Sequence, residues 1–158
     1  MTVEPPVTVR LLRDGVRAPD MRGEPSMTVH LFDDGVRSAD TGGGPIGLRW
    51  ETVCPLDRLL PERGAAALLT TGGETVQVAL FRMPDGAVHA IGNVDPFSGA
   101  AVLSRGIVGD RDGVPTVASP VYKQVFNLVT GECLDDPSIR VPVFAVRVAD
   151  GRLQVGLP

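Results

Sequence analysis

The residues that could do chemistry in this chain are few and scattered. There are two histidines, His30 and His89, and two cysteines, Cys54 and Cys133. Neither cysteine stands two or three residues before a histidine. Lone cysteines this far apart read as buried small hydrophobes rather than as a disulfide or a reactive site. Ser98 and Ser104 have no histidine nearby in sequence to act as a base, which argues against a Ser-His hydrolase. Gly106-Ile-Val-Gly-Asp-Arg-Asp-Gly113 has the glycines and acids of a phosphate or calcium loop. It lacks the Gly-Lys-Ser/Thr ending of the first and the spaced Glu of the second, so it reads as a plain β-turn. Asp95 and Ser119 can offer oxygen to a hard cation, but two such ligands fall short of a cage. His89 lies in a strand pattern with no evident partner, and Asp135-Asp136-Pro137 reads as a solvated acidic turn.

The elements that must position these residues are strands. Leu48–Cys54 alternates, and Pro55–Leu60 has room for one helical turn, opened by Pro55 and ended by Pro61 and Gly64. Ala65–Thr70 and Thr75–Arg82 flank the turn Thr71-Gly-Gly-Glu74. Pro84-Asp-Gly86 leads into Ala87–Ile91. Val114–Ala118 and Gln124–Leu128 follow, and a last hairpin joins Pro142–Ala149 to Arg152–Gly156 through Asp150-Gly151. Asp-Gly favours a type I′ turn with both central residues at positive φ. In that hairpin Phe144, Val146 and Val148 should share one face, opposite Ala145 and Arg147. Short strands at close spacing indicate a small all-β sandwich or barrel. No stretch of ten or more residues carries a 3.6 period, so no long helix is expected.

Residues 1–46 read differently. They are rich in turn formers, with Pro5-Pro6, Gly23-Glu-Pro25 and Gly42-Gly-Gly-Pro45. They also contain a duplication. Thr8-Val-Arg-Leu-Leu-Arg-Asp-Gly-Val-Arg-Ala-Pro-Asp20 aligns with Thr28-Val-His-Leu-Phe-Asp-Asp-Gly-Val-Arg-Ser-Ala-Asp40 at an offset of 20, and eight of thirteen positions are identical. Two copies are too few to stack a solenoid. The segment reads as a disordered N-terminal extension, with Gly42–Gly44 as a flexible linker to a domain over 47–158. The other readings are a tethered segment that orders on contact with a partner, or a chain that begins at Met21 or Met27.

Composition narrows the function classes. The chain of 158 residues is 43% hydrophobic and 22% charged, as expected of a globular protein, but only 4% aromatic. Its net charge of −4 argues against nucleic acid and against an anionic membrane surface. Residues 1–20 lack the apolar segment of a signal peptide, and the longest apolar runs are far too short to span a bilayer. The expected location is the cytosol.

Two stretches carry a family resemblance. Ile91-Gly-Asn-Val-Asp-Pro-Phe-Ser-Gly-Ala-Ala-Val-Leu-Ser-Arg-Gly106 and Ser119-Pro-Val-Tyr-Lys-Gln-Val-Phe-Asn-Leu-Val-Thr-Gly-Glu-Cys133 resemble the two loops of a Rieske-type domain. Such a domain holds its [2Fe-2S] cluster with two His on one iron and two Cys on the other. The family supplies them as Cys-x-His and Cys-x-x-His. Here Asp95-Pro-Phe97 and Ser119-Pro-Val-Tyr122 stand in those places, while Ala90-Ile-Gly-Asn93, Phe126-Asn-Leu-x-Thr-Gly131 and Val141-Pro142 keep the frame. The loop segments Asn93–Asp110 and Ser119–Phe126 resemble more closely the small subunit of assimilatory NAD(P)H-dependent nitrite reductase, a family that keeps the Rieske fold without its ligands. The resemblance covers about residues 48–157 and leaves 1–46 unexplained.

The resemblance implies an all-β, Rieske-like antiparallel sandwich whose two hairpin loops form a tip without a cluster. It implies no catalytic, cofactor or metal residues in this chain. The former ligand positions Asp95, Phe97, Ser119 and Tyr122 should be neighbours in pairs. Asp95 would accept a hydrogen bond from Ser119, and Phe97 would pack edge-on against Tyr122, worth about 0.5–1.5 kcal/mol beyond burial. Pro96, Phe97 and Val121, rimmed by Arg105, Arg111 and Lys123, would form the surface that meets a partner. That partner would be the large catalytic subunit, carrying FAD, siroheme and an iron–sulfur cluster and reducing nitrite to ammonia. Rival readings are a free-standing binding or regulatory module and a Rieske-type electron carrier.

Overall fold

The structure, a computed structural model, describes residues 8–12, 29–30, 47–71 and 73–157. The expectation of a disordered extension otherwise falls on residues outside these. Among the described residues eleven strands form two sheets: β1 (Thr8–Leu12), β2 (Val29–His30), β3 (Arg49–Pro55), β4 (Gly64–Thr71), β5 (Glu74–Arg82), β6 (Val88–Gly92), β7 (Ile107–Arg111), β8 (Val114–Ala118), β9 (Val125–Asn127), β10 (Val143–Ala149) and β11 (Arg152–Leu157). The large sheet has the order β2-β1-β4-β5-β6-β10-β11-β3 and the small one β7-β8-β9. Every pairing between these strands is antiparallel.

The turns explain why these strands pair in this register. Asp150 and Gly151 have φ of 51° and 71°, and Ala149 faces Arg152, as a two-residue type I′ loop requires. Asp112 and Gly113, at 55° and 81°, close β7 onto β8 in the same way. Among the described residues helix is limited to two 3₁₀ turns, Leu56–Arg58 and Leu103–Arg105. The first is the single turn expected after Pro55.

β5 divides the interior. Val78 and Leu80 point into one core with Val53, Leu69, Leu153 and Val155, so the large sheet curls until β3 and β11 lie over β4 and β5. Ala79 and Phe81 point the other way, into a second core with Ile91, Leu103, Val117 and Phe126. A strand buried on both faces reads as a continuous apolar run, and Val78-Ala-Leu-Phe81 is one. The second core is what attaches the small sheet to the large one.

β3 and β10 also depart from simple alternation. In β3, Leu153 pairs with Cys54 but Gln154 pairs with Thr52, so Val53 is the extra residue of a bulge. That is why Val53 and Cys54 are both buried although adjacent. In β10, Phe144 and Val146 pack against the first core as expected, but Val148 is 48% exposed. It lies where β10 has parted from β6, whose pairing with it ends at Phe144, although its cross-strand partner Leu153 stays fully buried. Arg147 lies over the ring of Trp50 at 4.3 Å, and its Nε donates to Gln154 Oε1.

Phe81 is fully buried at the junction of the two sheets. Phe81→Ala should lower the unfolding free energy by about 3–5 kcal/mol. Urea denaturation followed by circular dichroism measures it, and a loss below about 1 kcal/mol would remove Phe81 as the anchor of the second core.

Candidate functional site

Two loops leave the same end of the second core. Loop 1 spans residues 93–106, between β6 and β7, and loop 2 spans 119–124, between β8 and β9. Ile107 faces Ala118 in the ladder, so the two loops are adjacent.

Loop 1 is held by Asn93, which is buried where β6 ends. Its backbone N–H donates to Gln77 O and its carbonyl accepts from Leu103 N. Its Oδ1 accepts from Ser104 N at 2.8 Å, and its Nδ2 donates to Gln77 Oε1 at 3.3 Å. The loop's two ends are thereby tied to each other and to β5. Between them Asp95 N donates to Ala100 O, and Gly99 N to Asp95 O. Gly106 closes the loop against β8, where a Cβ would run into Ala118 O and Val117 Cγ2. Only glycine leaves room for that approach.

Loop 2 is a tight turn. Ser119 N donates to Gln124 O, and Lys123 N, at a φ of 67°, donates to Ser119 O. Val125 N, just past the turn, donates to Asp135 Oδ2 at 2.7 Å.

Ser119 Oγ donates to Asp95 Oδ2 at 2.6 Å, and both residues are fully buried. Asp95 Oδ1 accepts from Phe97 N at 2.9 Å. Ser119 Oγ in turn accepts from Val121 N at 3.3 Å. Burial alone would raise the Asp95 pKa. Hydrogen bonds from the Ser119 hydroxyl, from the Phe97 N–H and from Ser98 outweigh it and hold the pKa below the ordinary carboxylate value. Asp95 is therefore an ionised, hydrogen-bonded carboxylate in the core, with its charge spent on joining the loops.

The expected aromatic pair does not form. The Phe97 ring meets Phe126 instead, with centroids 6.3 Å apart and planes inclined at 56°. Loop 2 turns outward after Ser119 and leaves Tyr122 at its apex, 61% exposed. Phe126 returns beneath the loop on β9 and is fully buried. A phenol hydroxyl is easily solvated at an apex, whereas the apolar Phe126 gains by burial.

The other expected contact residues divide. Pro96, Phe97, Val121, Lys123 and Arg105 are exposed on the two loops or the 3₁₀ turn beside them. Val94, Tyr122 and Ile107 add exposed apolar surface there. Lys123 Nζ donates to Pro120 O at 3.0 Å. The Arg111 Nη1 lies 3.5 Å from Asp135 Oδ1, whose Oδ2 accepts from Val125 N beside loop 2, while the Arg111 backbone stands at the β7–β8 turn. At that other end of the strands, Glu62, Asp85, Asp110 and His89 line a groove of about 370 Å³. Burial lowers the His89 pKa and Asp85 opposes the shift.

These residues do not fit an iron–sulfur cluster. Asp95 and Ser119 bond directly to each other, and Phe97 is packed on Phe126. Among the described residues no group of three or more His, Cys, Asp or Glu is placed to hold a metal. No described helix is long and apolar enough to cross a membrane.

A family of Rieske-like [2Fe-2S] domains matches residues 49–156. The NADH nitrite reductase small subunit of Salmonella typhimurium is 44% identical over 108 residues, which are 68% of this chain and 96% of the relative. The chain belongs to the nitrite reductase small-subunit family. A crystal structure of an NADH-dependent nitrite reductase small subunit from Mycobacterium tuberculosis superposes with a TM-score of 0.66 at 57% identity, covering 70% of this chain and 96% of the other. A NAD(P)H nitrite reductase large subunit of Klebsiella oxytoca is 42% identical over 107 residues, 68% of this chain but only 11% of that protein. Asn93 and Phe126, which the sequence marks only as part of the family frame, hold the site together. Asn93 works through Gln77 and Ser104, far from it along the chain, and Phe126 differs from other strand residues only in its place in the fold.

Ser119→Ala leaves the buried carboxylate without its hydroxyl donor and should cost about 1.5–3 kcal/mol at neutral pH. The pH dependence has a definite sign. The Asp95 pKa is depressed in the folded state, so its contribution is present above the unfolded carboxylate value of about 3.9 and is lost as pH falls through the lower folded value. Asp95→Asn should flatten this acid limb, as read from urea midpoints between about pH 6 and about pH 2. Parallel curves for the two proteins would take Asp95 out of the acid response.

Proposed function

We propose that this chain is the accessory small subunit of a cytosolic NAD(P)H-dependent nitrite reductase, that it works without a cluster of its own, and that its two-loop tip docks on the large catalytic subunit. The likeness to small subunits over nearly their whole length carries the assignment. The Klebsiella large subunit adds support for the partner, since a domain of this kind is part of that longer chain. Reducing nitrite to ammonia consumes six electrons and requires redox cofactors. Asp95, Phe97, Ser119 and Tyr122 offer no ligand set for one. The proposal therefore assigns FAD, siroheme and the iron–sulfur cluster to the large subunit.

The tip has the make-up of a docking surface. Phe97, Val121 and Tyr122 are 36%, 43% and 61% exposed, a costly arrangement for a surface facing only water. Arg105 and Lys123 stand beside them, and an aromatic and apolar centre with a charged rim suits a protein interface. The loops beneath are fastened by Asn93 and by the Asp95–Ser119 bond, so little ordering is left to be done on binding.

Co-expression with the large subunit tests both parts. Val121→Glu combined with Tyr122→Ala should weaken the complex at least tenfold while leaving the melting temperature of this chain unchanged. Nitrite reduction by the mixture should fall in step with complex formation. Unchanged affinity would move the interface off the tip, and failure of the wild-type chain to bind would sink the assignment of the partner.

A further inference from the structure

The described residues of the duplicated N-terminal motif pair with β4 and with each other. Its first copy supplies β1, which pairs with β4: Arg10 faces Leu68, Leu11 faces Ala67 and Leu12 faces Ala66. Its second copy supplies β2, at the two residues that match Val9 and Arg10 under the offset of 20. β2 pairs with β1 so that Val9 faces Val29, its own counterpart in the other copy. The backbone is therefore extended at matching places in both copies.

β4 needs a covering strand. It pairs with β5 on one side, and on the other its backbone meets β1. Its sequence, Gly-Ala-Ala-Ala-Leu-Leu-Thr-Thr, has no charge, no proline and no bulge to discourage pairing with a foreign strand. Both copies of the motif present the alternation such an edge accepts. Thr8-Val-Arg-Leu-Leu12 and Thr28-Val-His-Leu-Phe32 agree at Thr, Val and Leu, and differ by His for Arg and Phe for Leu. Both are also tethered within reach. Leu12 precedes Gly47 by about 35 residues and Phe32 by about 15, and even the shorter tether can extend to about 50 Å.

We propose that the outer edge of β4 is a strand-docking site for this chain's own N-terminal motif, and that the two copies are interchangeable occupants, the first copy holding the edge in this structure. Main-chain hydrogen bonds supply the attachment, and the alternating side chains set the register. The shorter tether gives the second copy a roughly fourfold higher effective concentration at the edge, which offsets differences in fit. A second copy that replaces the first keeps β4 covered and blocks edge-to-edge pairing between molecules.

Hydrogen exchange of the full chain tests this, read at the peptide covering Gly64–Thr71. Proline removes a backbone donor, and adjacent residues in a strand point their N–H groups to opposite sides. Arg10→Pro with Leu11→Pro therefore disables the first copy, and His30→Pro with Leu31→Pro the second. The β4 peptide should be slow in the wild type and stay within a few-fold of it when either copy alone is disabled. It should exchange at least tenfold faster when both are, with β5 and β6 unchanged. If disabling the first copy alone is as damaging as disabling both, the copies are not interchangeable and the proposal fails. Retained protection in the four-proline chain at monomeric mass also overturns it. Retained protection at doubled mass, seen by sedimentation, would replace it with pairing between two molecules.

Discussion

A buried carboxylate cannot stand alone. Removing its charge from water costs several kcal/mol unless donors replace the lost hydration. Asp95 meets that demand with donors from both loops: the Ser119 hydroxyl on one side, the Phe97 N–H and Ser98 on the other. The requirement works in both directions. The loops give the carboxylate its hydrogen bonds, and the carboxylate fixes how far apart the loops sit. Phe97, whose N–H is one of those donors, packs its ring on Phe126 beside this joint.

This arrangement replaces one kind of cross-link by another. A cluster ties two loops through four metal–ligand bonds, and its binding energy is folding energy. Here the tie is a short hydrogen bond to a charge, worth a few kcal/mol at most. The difference is made up beneath the tip. Asn93 joins the ends of loop 1 to β5, Gly106 lets the loop lie directly against β8, and Phe126 fills the space below Phe97. A tip built in this way keeps the outline of a Rieske-like domain with side-chain bonds joining its two loops.

The molecule also separates its charge. Lys123 and Arg105 lie with the apolar residues of the loops, while Glu62, Asp85 and Asp110 gather around the groove at the far ends of the strands. The net charge of −4 hides this division. A summed charge describes solubility, whereas docking depends on the local distribution. The same holds for the sheet edges. β4 is almost free of polar side chains, and what keeps its edge covered is a strand from a part of the chain far away in sequence.

The sequence by itself determined the all-β class and the Asp-Gly turns, but not β7, which lies inside a stretch that reads as a turn. The class and the turns rest on local properties: alternation and the positive φ that a turn demands. Through the family frame it also placed Asp95 beside Ser119, because the frame fixes which loop positions meet. It did not place Phe97. The outward turn of loop 2 depends on Lys123 adopting a positive φ and on the Ser119–Gln124 closure, and neither has a signature in the residue types. The Asn93 clamp and the pairing of β1 with β4 were also decided by tertiary structure alone. They join residues distant along the chain, and a hydrogen bond between distant residues leaves no periodic trace in sequence.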